Sequence, residues 1–261
     1  MTVELYFFQP LGTNSARMYL ALLEKEVQFI ERELSGRLFE HLQPAYLKIN
    51  PKGQVPALVH DDMVMTEGGP TNEYIDEAFD GPPLRPADLR ERCAMHWWCR
   101  VIDIEFGRSL MMVNWNRVVP MFAGAKSREE FEAILESVPL PDRRRAWRRA
   151  FLADTPIEQI DESRRRMAAV AARVEQTLAK QPWLAGQSYS LADIDLYSYF
   201  YFVPEWMPEL VNPKATPALI DWLAKAIERP AVAEMMRRRR DDKGLETAVT
   251  AAAALKTGGQ A

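Results

Sequence analysis

Three polar residues in a row, Thr13-Asn14-Ser15, stand where a β-branched and aromatic run, Val3 to Phe8, gives way to a helical pattern. A hydroxyl or amide at such a junction suits stabilisation of an anion such as a thiolate, because the helix N-terminus adds partial positive charge. A free thiol has a pKa near ~8.5, so a donor that lowers it increases the nucleophile present at neutral pH. Asn14 or Ser15 also serves as an ordinary helix cap, and the two roles are compatible. Tyr6 is a rival donor, but it lies inside the strand, where packing is the expected role. Cys93, His96 and Cys99 fall at i, i+3 and i+6 of a helical pattern and are three potential metal ligands. Flanked by Trp97 and Trp98, they read as core packing, and no metal is expected. The arginine runs Arg143–Arg145, Arg148–Arg149, Arg164–Arg166 and Arg237–Arg240 are interleaved with acidic residues. They read as solvated helix faces or subunit salt bridges rather than a nucleic-acid surface.

These residues need a scaffold. Gln9 to Thr13 reads as a loop, and Ala16, Tyr19, Leu20, Leu23 and Val27 recur at helical spacing after it. Val27 to Leu34 reads as a second strand and Arg37 to Ile49 as a second helix, ended by the turn Asn50-Pro51-Lys52-Gly53. Ala57–His60 and Met63–Thr66 read as a hairpin about Asp61-Asp62, and Pro70 to Phe79 as a third helix. The order β-α-β-α-β-β-α matches a thioredoxin-like mixed sheet with helices on both faces. The bond before Pro56 can be cis at modest cost. Gln54-Val55-Pro56 then resembles the thioredoxin-like loop whose residue before proline pairs with a peptide ligand. Beyond a Gly-Pro break the chain reads as helical: Ala87–Val119, Arg128–Ser137, Pro156–Lys180, Ser190–Phe202, Pro217–Ile227 and Ala231–Arg240, with a Pro-rich interruption at 138–141. The expected organisation is a thioredoxin-like α/β domain over 1–80, a linker at 81–84, an all-α domain over 85–243 and a flexible tail at 244–261.

Composition narrows the function. Apolar residues form 48% of 261, enough for a full core, and the net charge of −4 argues against nucleic acid as the main partner. Residues 1–80 carry 6 Lys+Arg against 13 Asp+Glu, the remainder 27 against 24, a shift that supports a boundary near residue 80. Two cysteines give no disulfide framework. No apolar run approaches the ~20 residues of a membrane span, so a cytoplasmic protein without membrane partners is expected.

Asn50-Pro51-Lys52-Gly53-Gln54-Val55-Pro56 and the later Ser190-Leu191-Ala192-Asp193 resemble the glutathione transferases. The second motif is a capping box with Asp for Glu, staple positions at Tyr189 and Ile194, and a role in folding. The resemblance runs from about Val3 to Asp242. Within the superfamily it is greatest to the bacterial glutathione-dependent lignin β-aryl etherases, through Lys48 to Leu58, Leu84-Arg85-Pro86-Ala87-Asp88, Val138-Pro139-Leu140-Pro141 with Trp147-Arg148-Arg149-Ala150, and Thr216-Pro217 through Arg229-Pro230. It implies glutathione as co-substrate, Ser15 and Asn14 at its thiolate, and Gln54, Val55, Glu67 and Gly68 along the peptide. It also implies lignin-derived aromatic ethers as the second substrate, with Trp115 and Met112 as candidate contacts, and a homodimer or a heterodimer with a related subunit. The chain departs from the pattern after Glu67, where the family has a serine and this sequence has Gly68-Gly69-Pro70. Loss of a hydroxyl bonded to a carboxylate corresponds to roughly one to two orders of magnitude in affinity. A non-catalytic partner subunit and a transferase acting on other electrophiles are therefore the alternatives. A disulfide reductase fits poorly, as no cysteine lies near 13–15.

Overall fold

The computed structural model describes residues 1–9 and 13–238; the proposed tail and most of the loop before Thr13 lie outside the described residues. Strand β1 (Val3–Phe8) alternates, burying Val3, Leu5 and Phe7. It pairs in parallel with β2 (Ile30–Leu34) and antiparallel with β3 (Ala57–His60), which pairs antiparallel with β4 (Met63–Met65), giving the order β2-β1-β3-β4. Parallel neighbours require a crossover, and α1 (Thr13–Glu24) supplies it. Short α2 (Pro44–Leu47) and α3 (Gly68–Ala78) complete this half. The helical half comprises α4 (Leu89–Arg100), α5 (Arg108–Ala123), α6 (Arg128–Glu136), α7 (Pro141–Phe151), α8 (Ile157–Leu178), α9 (Leu191–Phe200), α10 (Val203–Trp206), α11 (Pro217–Ile227) and α12 (Pro230–Arg238). The thioredoxin-like sheet followed by an all-helical region is the glutathione-transferase fold.

Several boundaries differ from expectation for local reasons. Strand β2 starts at Ile30 rather than Val27, because Glu26 takes a left-handed φ of 57° and the Val27 N–H donates back to Leu22 O at 2.9 Å. The second helix shrinks to a 3₁₀ turn at Glu40–Leu42 and α2: Phe39 is left-handed at φ 52°, and Pro44 has no N–H to continue a helix. The expected helix over 87–119 is α4 and α5 joined by a π-helical segment, Val101–Gly107. Helix α7 is not among the expected helical segments, since Pro139 and Pro141 read as a breaker, although the arginine runs within it read as helix faces. Pro141 instead occupies the first turn, where its missing N–H costs nothing. Of the expected last helix, residues 239–240 lie outside the described residues.

One core runs continuously from β1 and α1 into α4, α8, α9, α11 and α12. α1 packs on α3 on one side and on α9 and α12 on the other, so the first helix of the sheet half is clamped by the helical half. A second, separate core gathers Phe39 and Leu42 with Val119, Phe131, Leu135 and Trp147 beneath α5, α6 and α7. It ties the connection after β2 to the Pro-rich segment. Asp193 in α9 is fully buried and accepts from Leu184 N (2.9 Å), Ser190 N (3.0 Å), Ser190 Oγ (3.2 Å) and Trp222 Nε1 (3.2 Å). Burial pushes its carboxyl up to about 6 against those four donors. It is a folding hub with a wider reach than a capping box alone. Among the described residues no helix is long and apolar enough to cross a membrane.

Candidate active site

Helix α1 begins at Thr13 and carries Asn14 and Ser15 in its first turn. Ser15 is 3% exposed and sits in the first turn. Asn14 is partly buried, and its Oδ1 accepts from the Tyr199 hydroxyl of α9 at 2.8 Å. With Oδ1 so engaged, the amide Nδ2 is the donor left to Asn14. Tyr6 is not available as a rival: its hydroxyl donates to Glu4 Oε2 at 2.9 Å.

The loop before β3 is held by a small network. The Val55–Pro56 bond is cis. The Gln54 carbonyl accepts from Tyr46 Oη at 2.6 Å and Asn50 Nδ2 at 2.7 Å, and Asn50 Oδ1 accepts from Lys52 N at 3.0 Å. Asn50 is 1% exposed, so its amide is a fixed strut that turns Lys52 and Gly53 back toward the strand. Gly53 has φ +58°, and a Cβ there would lie 2.9 Å from Leu42 Cδ2, which favours glycine at this position.

Glu67 ends the connection after β4 and is exposed. Its Oε1 accepts from Lys52 Nζ at 2.5 Å, which brings the two loops together. Helix α3 begins at Gly68, and the Glu67 carbonyl accepts from Thr71 N at 3.0 Å. The Gly68 and Gly69 N–H groups precede the first intrahelical donor, and Pro70 has none to offer. Two backbone donors at a helix N-terminus remain for a carboxylate.

Beneath Gly68 lies a residue that the sequence reading passed over. Arg17 of α1 is 2% exposed, and its Nη1 and Cζ stand 3.0 and 3.1 Å from where a Gly68 Cβ would be. Its Nε and Nη2 donate to Asp195 Oδ1 and Oδ2 at 2.7 and 2.8 Å, and Nη1 donates to Asp103 Oδ1 at 2.9 Å. Burial opposes the Arg17 charge, but Asp195, Tyr199 and Asp103 outweigh it and keep the guanidinium protonated. Asp103 belongs to the π-helical segment, whose Gly107 leaves room for the Tyr199 ring within 3.0–3.2 Å of a hypothetical Cβ. A sequence signal for Asp195 did exist: it stands two residues after the capping-box Asp193 in a helix that is otherwise apolar and buried throughout.

The remaining candidates separate. Cys93 is exposed, His96 pairs with Glu73 at 3.1 Å, and the buried Cys99 thiol is pushed well up by burial and by Asp195. Among the described residues no three His, Cys, Asp or Glu side chains converge on a metal-sized point. Trp115 packs against the second core, and the Met112 carbonyl accepts from Asn116 Nδ2 at 2.9 Å. Phe122, on the same helix, stands 6.3 Å from Phe8 and closes over Gly36. The structure therefore brings Asn14 to Tyr199, Glu67 to Lys52, and Gly68 to Arg17, while Gln54 and Val55 are set by Tyr46 and Asn50. Such a frame can bind an extended peptide by its backbone, its acidic end and its charged terminus.

Family comparison agrees with that frame. The N-terminal glutathione S-transferase domain model matches residues 1–77 and the C-terminal domain model residues 111–230. Protein LigF of Sphingobium sp. strain SYK-6 is 37% identical over 249 residues, 93% of this chain and 96% of the relative. The chain belongs to the glutathione S-transferase family. Glutathione is accordingly its co-substrate. The crystal structure of beta-etherase LigF superposes with a TM-score of 0.86 over 91% of this chain and all of that one. Two less similar structures share the fold: glutathione transferase F7 of Populus trichocarpa, at 24% identity and TM-score 0.69 over 90% and 98%, and a glutathione transferase homologue from sulfitobacter with bound glutathione, at 23% and 0.67 over 91% and 98%.

Proposed function

We propose that this chain is a β-aryl etherase acting on α-keto aryl ethers of the kind lignin yields. The glutathione thiolate attacks the β-carbon, a carbon–sulfur bond forms, and the carbon–oxygen bond breaks. Its electron pair leaves with the phenolate, for example guaiacol, and a glutathione thioether remains. The neighbouring carbonyl activates the carbon. Asn14 and Ser15 stabilise the thiolate. Gln54 and Val55 hold the peptide by backbone pairing, and Glu67 with the Gly68 and Gly69 amides takes the γ-glutamyl end. The protein's contribution is orientation and an activated nucleophile.

The observation that carries this reading is the graded likeness: 0.86 and 37% to a β-etherase over nearly whole chains, against 0.69 and 24% to a transferase of the wider family. The same reading takes 1–80 as the glutathione-binding domain, 81–84 as linker and 85–243 as the substrate domain of a cytoplasmic dimer. The test is the purified chain with glutathione and an α-keto β-guaiacyl ether. Equal amounts of guaiacol and thioether are expected by liquid chromatography and mass spectrometry. Turnover of a generic electrophile such as a chlorodinitrobenzene, with no guaiacol released, replaces the reading with a general transferase.

A second reading, a non-catalytic subunit of a heterodimeric etherase, has its own observation in Gly68, where the serine of the family pattern is missing and Arg17 fills the space. Native mass spectrometry of this chain mixed with a related etherase decides it: a heterodimer that cleaves the ether, with this chain alone inert, supports the second reading.

A further inference from the structure

Among the described residues Arg143 has no ion-pair partner. Two arginines of the same runs are paired, Arg144 with Glu136 and Arg148 with Glu132. Among the described residues no carboxylate forms an ion pair with Arg143; the adjacent Asp142 and the Tyr46 hydroxyl act on it from a distance. Its Nε is sealed from solvent without an acceptor, and Nη1 has only the Gly53 carbonyl at 3.5 Å. The guanidinium lies over the Trp147 ring at 4.9 Å, and burial pushes its pKa down to about 10. His41 beside it cannot compensate. That ring is 1% exposed, neither nitrogen has a partner, and burial together with Arg143 holds its pKa down to about 3. A cation kept at a partly buried place without a partner is costly unless a ligand supplies the anion. The side chain as a whole keeps partial exposure, so a ligand has access.

The location says which anion. Arg143 abuts Gly53, two residues before Val55. On the functional reading above, on which this inference rests, Val55 pairs with the middle of glutathione and Gly68 receives its γ-glutamyl end. An extended tripeptide spans about 10 Å. Its other terminus, the glycyl carboxylate, then falls on the Gly53 side of the loop. Lys52, the other cation of that loop, is already committed to Glu67. We propose that Arg143, delivered by α7 of the helical half, binds the glycyl carboxylate of glutathione and so closes the peptide site from the opposite domain.

Titration calorimetry with glutathione, γ-glutamylcysteine and the glycyl monoethyl ester of glutathione tests this on the wild type, R143Q and R143K. The wild type is expected to favour glutathione over the other two by about ten- to a hundredfold, as for a charge-assisted bond. R143Q is expected to bind all three alike, and R143K to keep part of the preference, because a lysine retains the charge without the fork. A wild type that binds the three equally, or an R143Q that keeps the preference, overturns the proposal while leaving glutathione binding intact. A wild type that binds none of the three removes the functional reading itself. If R143Q fails to fold, as read by its thermal melt, the wild-type preference and R143K decide alone.

Discussion

The Arg17 guanidinium holds both oxygens of the Asp195 carboxylate, at 2.7 and 2.8 Å, from a position 178 residues earlier in the chain. The pair joins the first helix of the sheet half to the central helix of the helical half. Both side chains are almost fully buried, and a third group, Asp103, shares the cation. Removing one member of such a pair strands a charge in the interior. Asp195→Ala is expected to cost about 3–5 kcal/mol, and to lower glutathione binding because the Gly68 end of α3 rests on Arg17. A melting temperature within a few degrees of wild type counts against this account.

Gly68 stands where the family pattern has a serine, and the missing hydroxyl is expected to weaken glutathione binding. Gly68 is not among the glycines in the left-handed region, so its φ does not oppose a serine. The obstacle is Arg17, 3.0–3.1 Å from the position of a new Cβ. Gly68→Ser is therefore expected to lower the melting temperature and to leave the glutathione dissociation constant unchanged or weaker. Tighter binding by calorimetry in a fully folded Gly68→Ser protein defeats this expectation.

The two thiolate candidates differ in support. Asn14 is oriented by Tyr199, whereas Ser15 is simply buried in the first turn of α1. Ser15→Ala and Asn14→Ala are each expected to lower kcat about tenfold to a thousandfold, the usual effect of removing one preorganised donor. The pKa of the bound glutathione thiol, followed by thiolate absorbance, should rise in whichever variant has lost the operative donor. A folded variant with unchanged turnover and thiol pKa removes that residue from the mechanism.

Glu67 makes a solvent-exposed pair with Lys52, and such pairs contribute little to stability. Glu67→Gln should therefore melt like the wild type and bind glutathione roughly tenfold more weakly. A large stability loss with normal binding reverses the assignment.

Loss of a helix cap alone costs about 0.5–2 kcal/mol, and Asp193→Ala removes more than a cap. The buried carboxylate serves four donors, and all of them, Leu184 N, Ser190 N, Ser190 Oγ and Trp222 Nε1, lose a partner. At ~1–3 kcal/mol for each stranded donor, the cost is expected to exceed the earlier range. Its pH dependence has a defined sign. The folded pKa of about 6 lies above the ordinary aspartate value, so the native state binds the proton more tightly than the unfolded chain. This group's contribution is greatest below pH ~4 and declines as pH rises to about 6. Denaturant titrations at pH 4 to 7 should show that decline in the wild type and a flatter profile in Asp193→Asn; identical profiles refute it.

What the sequence determined alone is local. The order of elements along the sheet half follows from short periodic runs separated by turn residues, and Gln54-Val55-Pro56 is recognisable because it joins the Asn50-Pro51-Lys52-Gly53 turn to a strand run. Ser190 and Asp193 are three residues apart, so their bond is also a matter of sequence. The partnerships that shape the candidate site are not. Arg17 meets Asp195, and Tyr199 meets Asn14, only after two halves of the chain dock, and no spacing rule links positions so far apart. The arginine runs read as solvated because acidic residues neighbour them in sequence. Folding pairs Arg144 and Arg148 and leaves Arg143 over Trp147 with no carboxylate partner among the described residues. Composition reports how many charges a segment carries; only packing decides which of them is left without a partner.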